Sequence, residues 1–224
     1  MENMPAEALT AEISAVHALY TALARNLDPE TGLGGQLLYA GELNPEGCRL
    51  VRAANIAGAA SLSATADPAA QKLVIREQVV DFLVNSLDEA LRILKNEVRK
   101  RQTVAVGVSV SPAQIVGEMK QRGVLPDLLP PANPQSASPE LDAFIIQGAR
   151  QIELQPLPPD RVFVAVDHPP SDFESRALAS IPINDHATRR WLRLSPRYLG
   201  PAARRMRSLS CDPKLAASLT VPSP

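Results

Sequence analysis

Short polar residues directly precede prolines at three places where an apolar or β-branched run ends: Asn44-Pro45, Asp67-Pro68 and Ser111-Pro112. A side-chain oxygen in this position accepts hydrogen bonds from the unpaired N–H groups of a starting helix, and a proline in the first turn has no N–H to leave unpaired. The positive end of a helix also attracts phosphates and carboxylates. The three pairs therefore predict strand–turn–helix units whose helix starts could bind an anion.

The candidate ligand site combines glycines and polar residues that are predicted at the carboxyl ends of the strands. Parallel strands bring these ends to one edge of a sheet, where doubly wound folds bind their ligands. The capping residues, which include Ser86 at the start of the predicted helix 86–100, also have a purely structural explanation, because a helix needs a cap whatever the protein does. The predicted ligand-binding residues are Gly41, Glu42, Asn44, Gly47, Thr65, Asp67, Asn85, Ser86, Ser109 and Ser111.

The histidines and cysteines form no recognisable catalytic or metal-binding pattern. No two of the three histidines have a metal-binding spacing, and no serine or cysteine lies in a nucleophile motif. His168, which follows Asp167 at a predicted strand end, is the best candidate for a base. Cys48 and Cys211 are interpreted as reduced thiols of a cytoplasmic protein. We therefore predict no metal site and name no catalytic residue.

The hydrophobic pattern predicts an alternation of helices and strands, which is typical of a parallel sheet with right-handed crossovers. The clearest amphipathic stripe lies in residues 86–100 and includes Leu91 and Leu94. The predicted helices are residues 6–25, 45–57, 86–100, 112–122, 141–152 and 171–181, with a short helix after Asp67-Pro68 and helical stretches within 186–209. The predicted strands are residues 36–40, 59–64, 79–84, 103–108, 125–129 and 161–166.

The chain length suits one α/β core followed by an extension. We predict an α/β core with an amino-terminal helix at 1–130, a continuation of that unit at 131–183 after a proline-rich loop, and a basic helical extension at 184–224. No apolar run approaches the ~20 residues of a membrane span, and the first residues lack the basic and apolar regions of a leader. We therefore expect a cytoplasmic protein that does not contact membranes.

Positive charge is concentrated in residues 186–214, which carry a net charge of +7, whereas the rest of the chain carries −8. Arginines interleaved with Trp191 and Tyr198 could bind phosphates and stack on bases. Because no recognition motif is present, we favour a solvated helix face or an arm on an acidic surface, and so expect a homodimer rather than nucleic-acid binding. The predicted basic patch consists of Arg189, Arg190, Arg193, Arg197, Arg204, Arg205 and Arg207.

Five segments resemble the cofactor-binding domain of urocanase in order and spacing. The most specific are Ser-Leu-Asp-Glu-Ala-Leu at 86–91 and Arg-Gly-Val-Leu-Pro-Asp at 122–127, and the others are residues 37–41, 47–58 and 66–68. The likeness extends from about residue 34 to 127. It implies a Rossmann-like three-layer α/β sandwich with a mainly parallel sheet, here with a helical carboxyl-terminal extension. Urocanases hydrate urocanate with NAD as an electrophile, so the resemblance also implies a place for NAD.

The chain departs from the family pattern where NAD would bind. The family's glycine-rich turn is here Gly41-Glu42-Leu43-Asn44-Pro45-Glu46-Gly47, whose carboxylates would repel a pyrophosphate and occupy its space. After the second strand, Thr65 stands nearest to the place where an acidic residue commonly binds the ribose. The loop after the fifth strand is Pro130-Pro131-Ala132-Asn133-Pro134 instead of a polar segment. We therefore predict no cofactor, with NAD as the alternative.

Three functional hypotheses follow from these observations. The favoured one is a degenerate urocanase-like domain that binds a small ligand or has a structural role, without urocanase activity. The second is an enzyme that uses a dinucleotide or a small metabolite at the carboxyl edge of the strands. The third is a nucleic-acid or assembly partner that acts through the basic patch. The glycine turn separates the first two hypotheses, and salt-dependent binding would identify the third.

Overall fold

Helices and strands alternate along most of this computed structural model, which describes residues 5–132 and 139–220. The helices are α1 (Ala6–Leu23), α2 (Pro45–Ala57), α3 (Pro68–Arg76), α4 (Leu87–Arg99), α5 (Pro112–Gln121), α6 (Pro139–Ile146), α7 (Phe173–Ser180), α8 (His186–Tyr198) and α9 (Pro213–Thr220). The strands are β1 (Leu37–Glu42), β2 (Ala60–Ala64), β3 (Phe82–Val84), β4 (Val104–Val108), β5 (Leu128–Leu129), β6 (Arg150–Gln151), β7 (Val162–Asp167) and β8 (Met206–Cys211). None of the helices in these ranges is both long and apolar enough to cross a lipid bilayer. Residues 133–138 of the predicted proline-rich loop lie outside the described residues.

The strands β1 to β6 form one parallel sheet in the order β3-β4-β2-β1-β5-β6. From β1 the chain first builds one side of the sheet with β2, β3 and β4, and β5 and β6 are then added on the other side of β1. The strand order therefore reverses between β1 and β5. A reversal of this kind leaves a crevice outside the carboxyl ends of the two strands. With helices on both faces, this is the predicted Rossmann-like α/β fold.

Alternate residues of the central strands belong to two separate cores. Leu38 and Ala40 of β1 belong to the core that includes the buried face of α2. Tyr39 of β1 and Leu62 of β2 belong to the core that includes α4, α5 and α6. Because both faces of the sheet are covered, β2 and β4 are buried along their whole length, as is typical of parallel sheets, although β2 includes the buried hydroxyls of Ser61 and Ser63.

Side chains of the predicted capping residues begin four helices. Each accepts a hydrogen bond from a backbone N–H in the first turn, as a helix cap does. The donor and acceptor pairs are Gly47 to Asn44 (2.9 Å), Ala69 to Asp67 (2.9 Å), Glu89 to Ser86 (3.3 Å) and Gln114 to Ser111 (3.2 Å). The caps of α2, α3, α4 and α5 are therefore confirmed.

The carboxyl-terminal part departs from the predicted elements. Residues 161–166, predicted as the sixth strand, overlap β7, which pairs antiparallel with β8 in a separate two-stranded sheet. The sixth strand of the main sheet is β6, which lies in a region predicted as helix. The helix α6 ends before this strand, and Gly148, with a φ of +105°, follows its end. The strand β8 lies in a segment predicted as helical. Its partner strand is distant in sequence, so no local pattern indicated the pairing.

A buried cluster of rings joins the carboxyl-terminal part to α1. Trp191 of α8 is fully buried (0 % exposed), and its ring centroid lies 4.7 Å from that of His17 and 5.1 Å from that of Tyr20. The ring of Phe163 in β7 lies 4.9 Å from His17, and the indole N–H of Trp191 donates to the carbonyl of Ser208 at 2.8 Å. We call His17, Tyr20, Phe163 and Trp191 the ring cluster. Through it, α8 and the β7–β8 pair complete the core beside α1.

Candidate functional site

A crevice of about 1040 Å³ opens at the carboxyl ends of β1 and β5. Its walls are the end of β1 with the first turn of α2, the start of α5, residues 130–132 after β5, the start of α6, and one face of α1. It lies where the strand order reverses, which is the usual ligand position in open α/β sheets. This volume suits a small organic molecule. The crevice is therefore the candidate functional site.

The structure divides the predicted ligand-binding residues into two groups. Gly41, Glu42, Asn44 and Gly47 line the crevice. The remaining six are outside the described lining and follow β2, β3 and β4 in the chain, and one of them, Ser111, directly precedes Pro112 of the α5 wall. These six are Thr65, Asp67, Asn85, Ser86, Ser109 and Ser111.

The turn between β1 and α2 uses much of its own hydrogen-bonding capacity. The N–H of Leu43 donates to the carbonyl of Ala64 at 2.9 Å, and the N–H of Gly47 donates to the side chain of Asn44 at 2.9 Å. Pro45 has no N–H. A bound pyrophosphate needs several free donors at a helix start, and Leu43, Pro45 and Gly47 offer none.

Both glycines of the turn are required by the backbone itself. Gly41 has a φ of +79°, in the left-handed region that favours glycine. A Cβ at Gly47 would lie 1.8 Å from the carbonyl oxygen of Glu42, because the first turn of α2 packs directly against the end of β1. The presence of these glycines therefore does not depend on a ligand.

Similar internal bonds occupy the start of α3. The carboxylate of Asp67 accepts from the N–H groups of Ala69 and Ala70, at 2.9 and 3.3 Å. The N–H of Asp67 itself donates to the buried hydroxyl of Thr65 at 3.2 Å. At this helix start the capping explanation accounts for the polar residues.

Carboxylates dominate the charge of the crevice. Glu42 and Glu46 stand on the wall formed by β1 and α2, and Glu140 and Asp142 stand on the wall formed by α6. Among the described lining residues the one cation is Arg49, whose Nε lies 2.7 Å from the carboxylate of Glu12. The α6 wall was missed by the sequence prediction, which began that helix at residue 141, although Pro139-Glu140 is a typical helix start.

Tyr39 lies in the crevice lining and is itself almost completely buried (1 % exposed). Its hydroxyl donates to the carbonyl of Pro112 at 3.4 Å. Burial raises the pKa of this phenol, and the negative charges of Glu140 and Glu42 raise it further. Tyr39 is therefore a neutral hydroxyl that both carboxylate walls influence.

The histidines lie away from the crevice. His17 is part of the ring cluster, where burial, and secondarily Arg161, lowers its pKa to about 4, so that it is a neutral core residue. His168 is exposed at the end of β7, and its Nδ1 lies 3.1 Å from Asp167, which also pairs with Arg205 at 3.0 Å. No group of histidine, cysteine and acidic residues within residues 5–132 and 139–220 could hold a metal ion.

Most arginines of the predicted basic patch bond to their own chain. Arg189 donates to the carbonyls of Leu178 and Ile181, both at 2.9 Å. The other such partners are Ile56 for Arg190, Gln78 for Arg204, Asp167 for Arg205 and Glu174 for Arg207. Arg193 and Arg197 are exposed, and Arg197 lies over the ring of Tyr198. Trp191 is too deeply buried to stack on a base.

Arg190 connects α8 to the end of α2 by a hydrogen bond. Its Nε donates to the carbonyl of Ile56 at 2.7 Å, in the last turn of α2, where a cation is favourable. A Cβ at Gly32 or Gly58 would come within 2.7 or 2.6 Å of the Arg190 guanidinium. These two glycines therefore leave the space in which Arg190 lies.

A comparison with protein families identifies the origin of this fold. The family model described as the urocanase Rossmann-like domain matches residues 17–144, which is more than half of the chain. The match includes the second part of α1, the strands β1 to β5 and most of α6, and it therefore contains most of the crevice lining, whereas Ala15, Ile145, Gln151 and Leu154 lie outside it. The chain belongs to the urocanase Rossmann-like domain family.

Proposed function

We propose that this chain binds a small molecule in the crevice between β1 and β5, without using NAD and without hydrating urocanate. The observation that carries the proposal is the crevice of about 1040 Å³ at the reversal of strand order. Large crevices at this position are the ligand sites of doubly wound sheets. Both cysteines are free thiols, which suits the reducing cytoplasm in which we place the protein.

The proposed lack of an NAD site rests on the turn between β1 and α2. Its N–H donors are largely bonded internally, and Glu42 and Glu46 stand beside it. A helix start contributes only about 0.3–2 kcal/mol to anion binding. Calorimetry with NAD and NADH is the test, and we expect binding weaker than a dissociation constant of ~10 µM. Tighter binding would favour the enzyme hypothesis instead.

A variant with a narrowed crevice tests whether a small molecule binds there. Ala113 and Ala69 are both exposed and both follow the proline that begins their helix, but Ala113 lines the crevice and Ala69 does not. Ala113→Trp therefore narrows the site, and Ala69→Trp is its matched control.

The measurement is a thermal-shift screen against a defined library of cationic, neutral and anionic small molecules, with urocanate included. We expect a library member to stabilise the wild-type chain and Ala69→Trp but not Ala113→Trp. If no member stabilises the wild-type chain, or if Ala113→Trp responds equally, the proposed function is wrong. Hydration of urocanate by the purified chain would contradict the second part of the proposal.

A further inference from the structure

Carboxylates stand on two walls of the crevice and outnumber the one described cation of its lining, Arg49. Glu42 and Glu46 are on the α2 side of the sheet, and Glu140 and Asp142 are on the α6 side. The nearby guanidinium of Arg49 already pairs with Glu12. A cleft lined by charges of one sign concentrates ligands of the opposite sign.

Tyr39 adds a hydroxyl oxygen that can accept a hydrogen bond to the lining of the crevice. Its side chain is buried, its hydroxyl proton is directed to the carbonyl of Pro112, and no N–H or O–H donor in the described part of the chain reaches its oxygen. A buried hydroxyl oxygen has room to accept a further hydrogen bond. The oxygen of Tyr39 can therefore accept a hydrogen bond from a donor on a ligand, such as the N–H of an ammonium group.

The rest of the crevice is apolar. Leu19 of α1, Val116 of α5 and Leu141 of α6 line its sides, and Ile145 and Leu154 line its mouth, where both are exposed. Such a surface stabilises a hydrocarbon body, because apolar area is removed from water on binding. The crevice thus combines an apolar surface with carboxylates on two of its walls.

We propose that the ligand of this crevice is an organic amine, with an ammonium group beside the carboxylates and Tyr39 and with an apolar body along the α1, α5 and α6 walls. This inference rests on the proposed function, since it names the chemical class of the ligand for the same site. The four carboxylates attract the cation and repel anions of similar shape, so the charge of the ligand determines its affinity.

A series of probes with one hydrocarbon chain and different charge tests this class. Hexylammonium, hexanol and hexanoate are titrated into the wild-type chain, and their binding is followed by NMR. We expect hexylammonium to bind about tenfold more tightly than hexanol, and hexanoate to bind most weakly. Added salt should weaken the binding of hexylammonium and leave that of hexanol unchanged.

Matched variants assign the effect to the crevice. Glu140→Gln removes one charge from the crevice wall, whereas Glu7→Gln removes an exposed charge from the first turn of α1, outside the lining. We expect Glu140→Gln to weaken hexylammonium binding severalfold without affecting hexanol, and Glu7→Gln to have no effect. Ala113→Trp should weaken the binding of every probe.

The outcomes separate this inference from the proposed function. If all three probes bind equally and Ala113→Trp weakens them all, the crevice binds small molecules and the amine class is wrong. If Glu140→Gln leaves hexylammonium binding unchanged, the amine class is also wrong. If no probe binds, the amine class fails, while the library screen alone decides the proposed function.

Discussion

His17 lies among the rings of Tyr20, Phe163 and Trp191, and protonation there opposes folding. Burial lowers its pKa from 6.5 to about 4, so between these values the unfolded chain binds a proton that the folded chain does not. Stability is therefore complete above pH 6.5 and falls as the pH decreases toward 4, by at most about 3 kcal/mol. His17→Phe should abolish this part of the pH dependence in urea-unfolding measurements.

Tyr20→Phe is the control for this experiment, because it changes the same ring cluster without removing the histidine. The hydroxyl of Tyr20 donates to the carbonyl of Ala187 at 2.7 Å, so its loss should destabilise the chain by about 1 kcal/mol at every pH. If His17→Phe retains the full wild-type slope between pH 4 and 6.5, protonation of His17 is not its cause.

Residues whose role depends on their sequence neighbours were predictable, and residues whose role depends on distant contacts were not. Asn44, Asp67, Ser86 and Ser111 are recognisable as caps because a helix start is determined by neighbouring residues. The burial of Trp191 depends on α1 and β8, which are distant in sequence, so the chain around it looked like a surface arm. The bond from Arg190 to the carbonyl of Ile56 was not predicted for the same reason, because these two residues are also distant in sequence.

Helix α4 packs one face on the sheet, and the exchange of single side chains can verify its orientation. Leu94 is buried (1 % exposed), whereas Lys95 is exposed on the next position. Leu94→Ala should lower the free energy of unfolding by ~2–5 kcal/mol, because it leaves a cavity in the core. Lys95→Ala should change it by less than ~0.5 kcal/mol. The reverse order in a denaturant titration would contradict the orientation of α4.

Elements with a regular hydrophobic pattern were predicted well, and short elements were not. The stripe on α4 identified Leu94 as a core residue, although Leu91 of the same stripe is only partly buried. The strand β4 is a continuous apolar run that marks a covered parallel sheet. Strand β6 has two exposed residues and carries no such pattern. The strand β6 was therefore outside the reach of the prediction.

At the scale of the whole molecule, the separation of charge predicts association. Arg193 and Arg197 remain exposed on α8, and the chain outside residues 186–214 is acidic. Complementary charge of this kind orients the docking of two copies. We expect sedimentation equilibrium to show a dimer that high salt or Arg193→Glu weakens, while Lys95→Glu on α4 does not. A strictly monomeric chain that binds single-stranded nucleic acid with a steep salt dependence would support the third hypothesis instead.

The core beside α1 continues far beyond the end of the family match at residue 144. It includes Trp191, Leu209 and Leu219 together with residues of α1 and α2. A fragment that ends at residue 144 would expose the rings of His17 and Tyr20 to water and would lose the apolar contacts of α8 and β8. The segment that matches the family is thus shorter than the part of the chain that we expect to fold cooperatively. The family match ends at residue 144, whereas the shared core extends to α9.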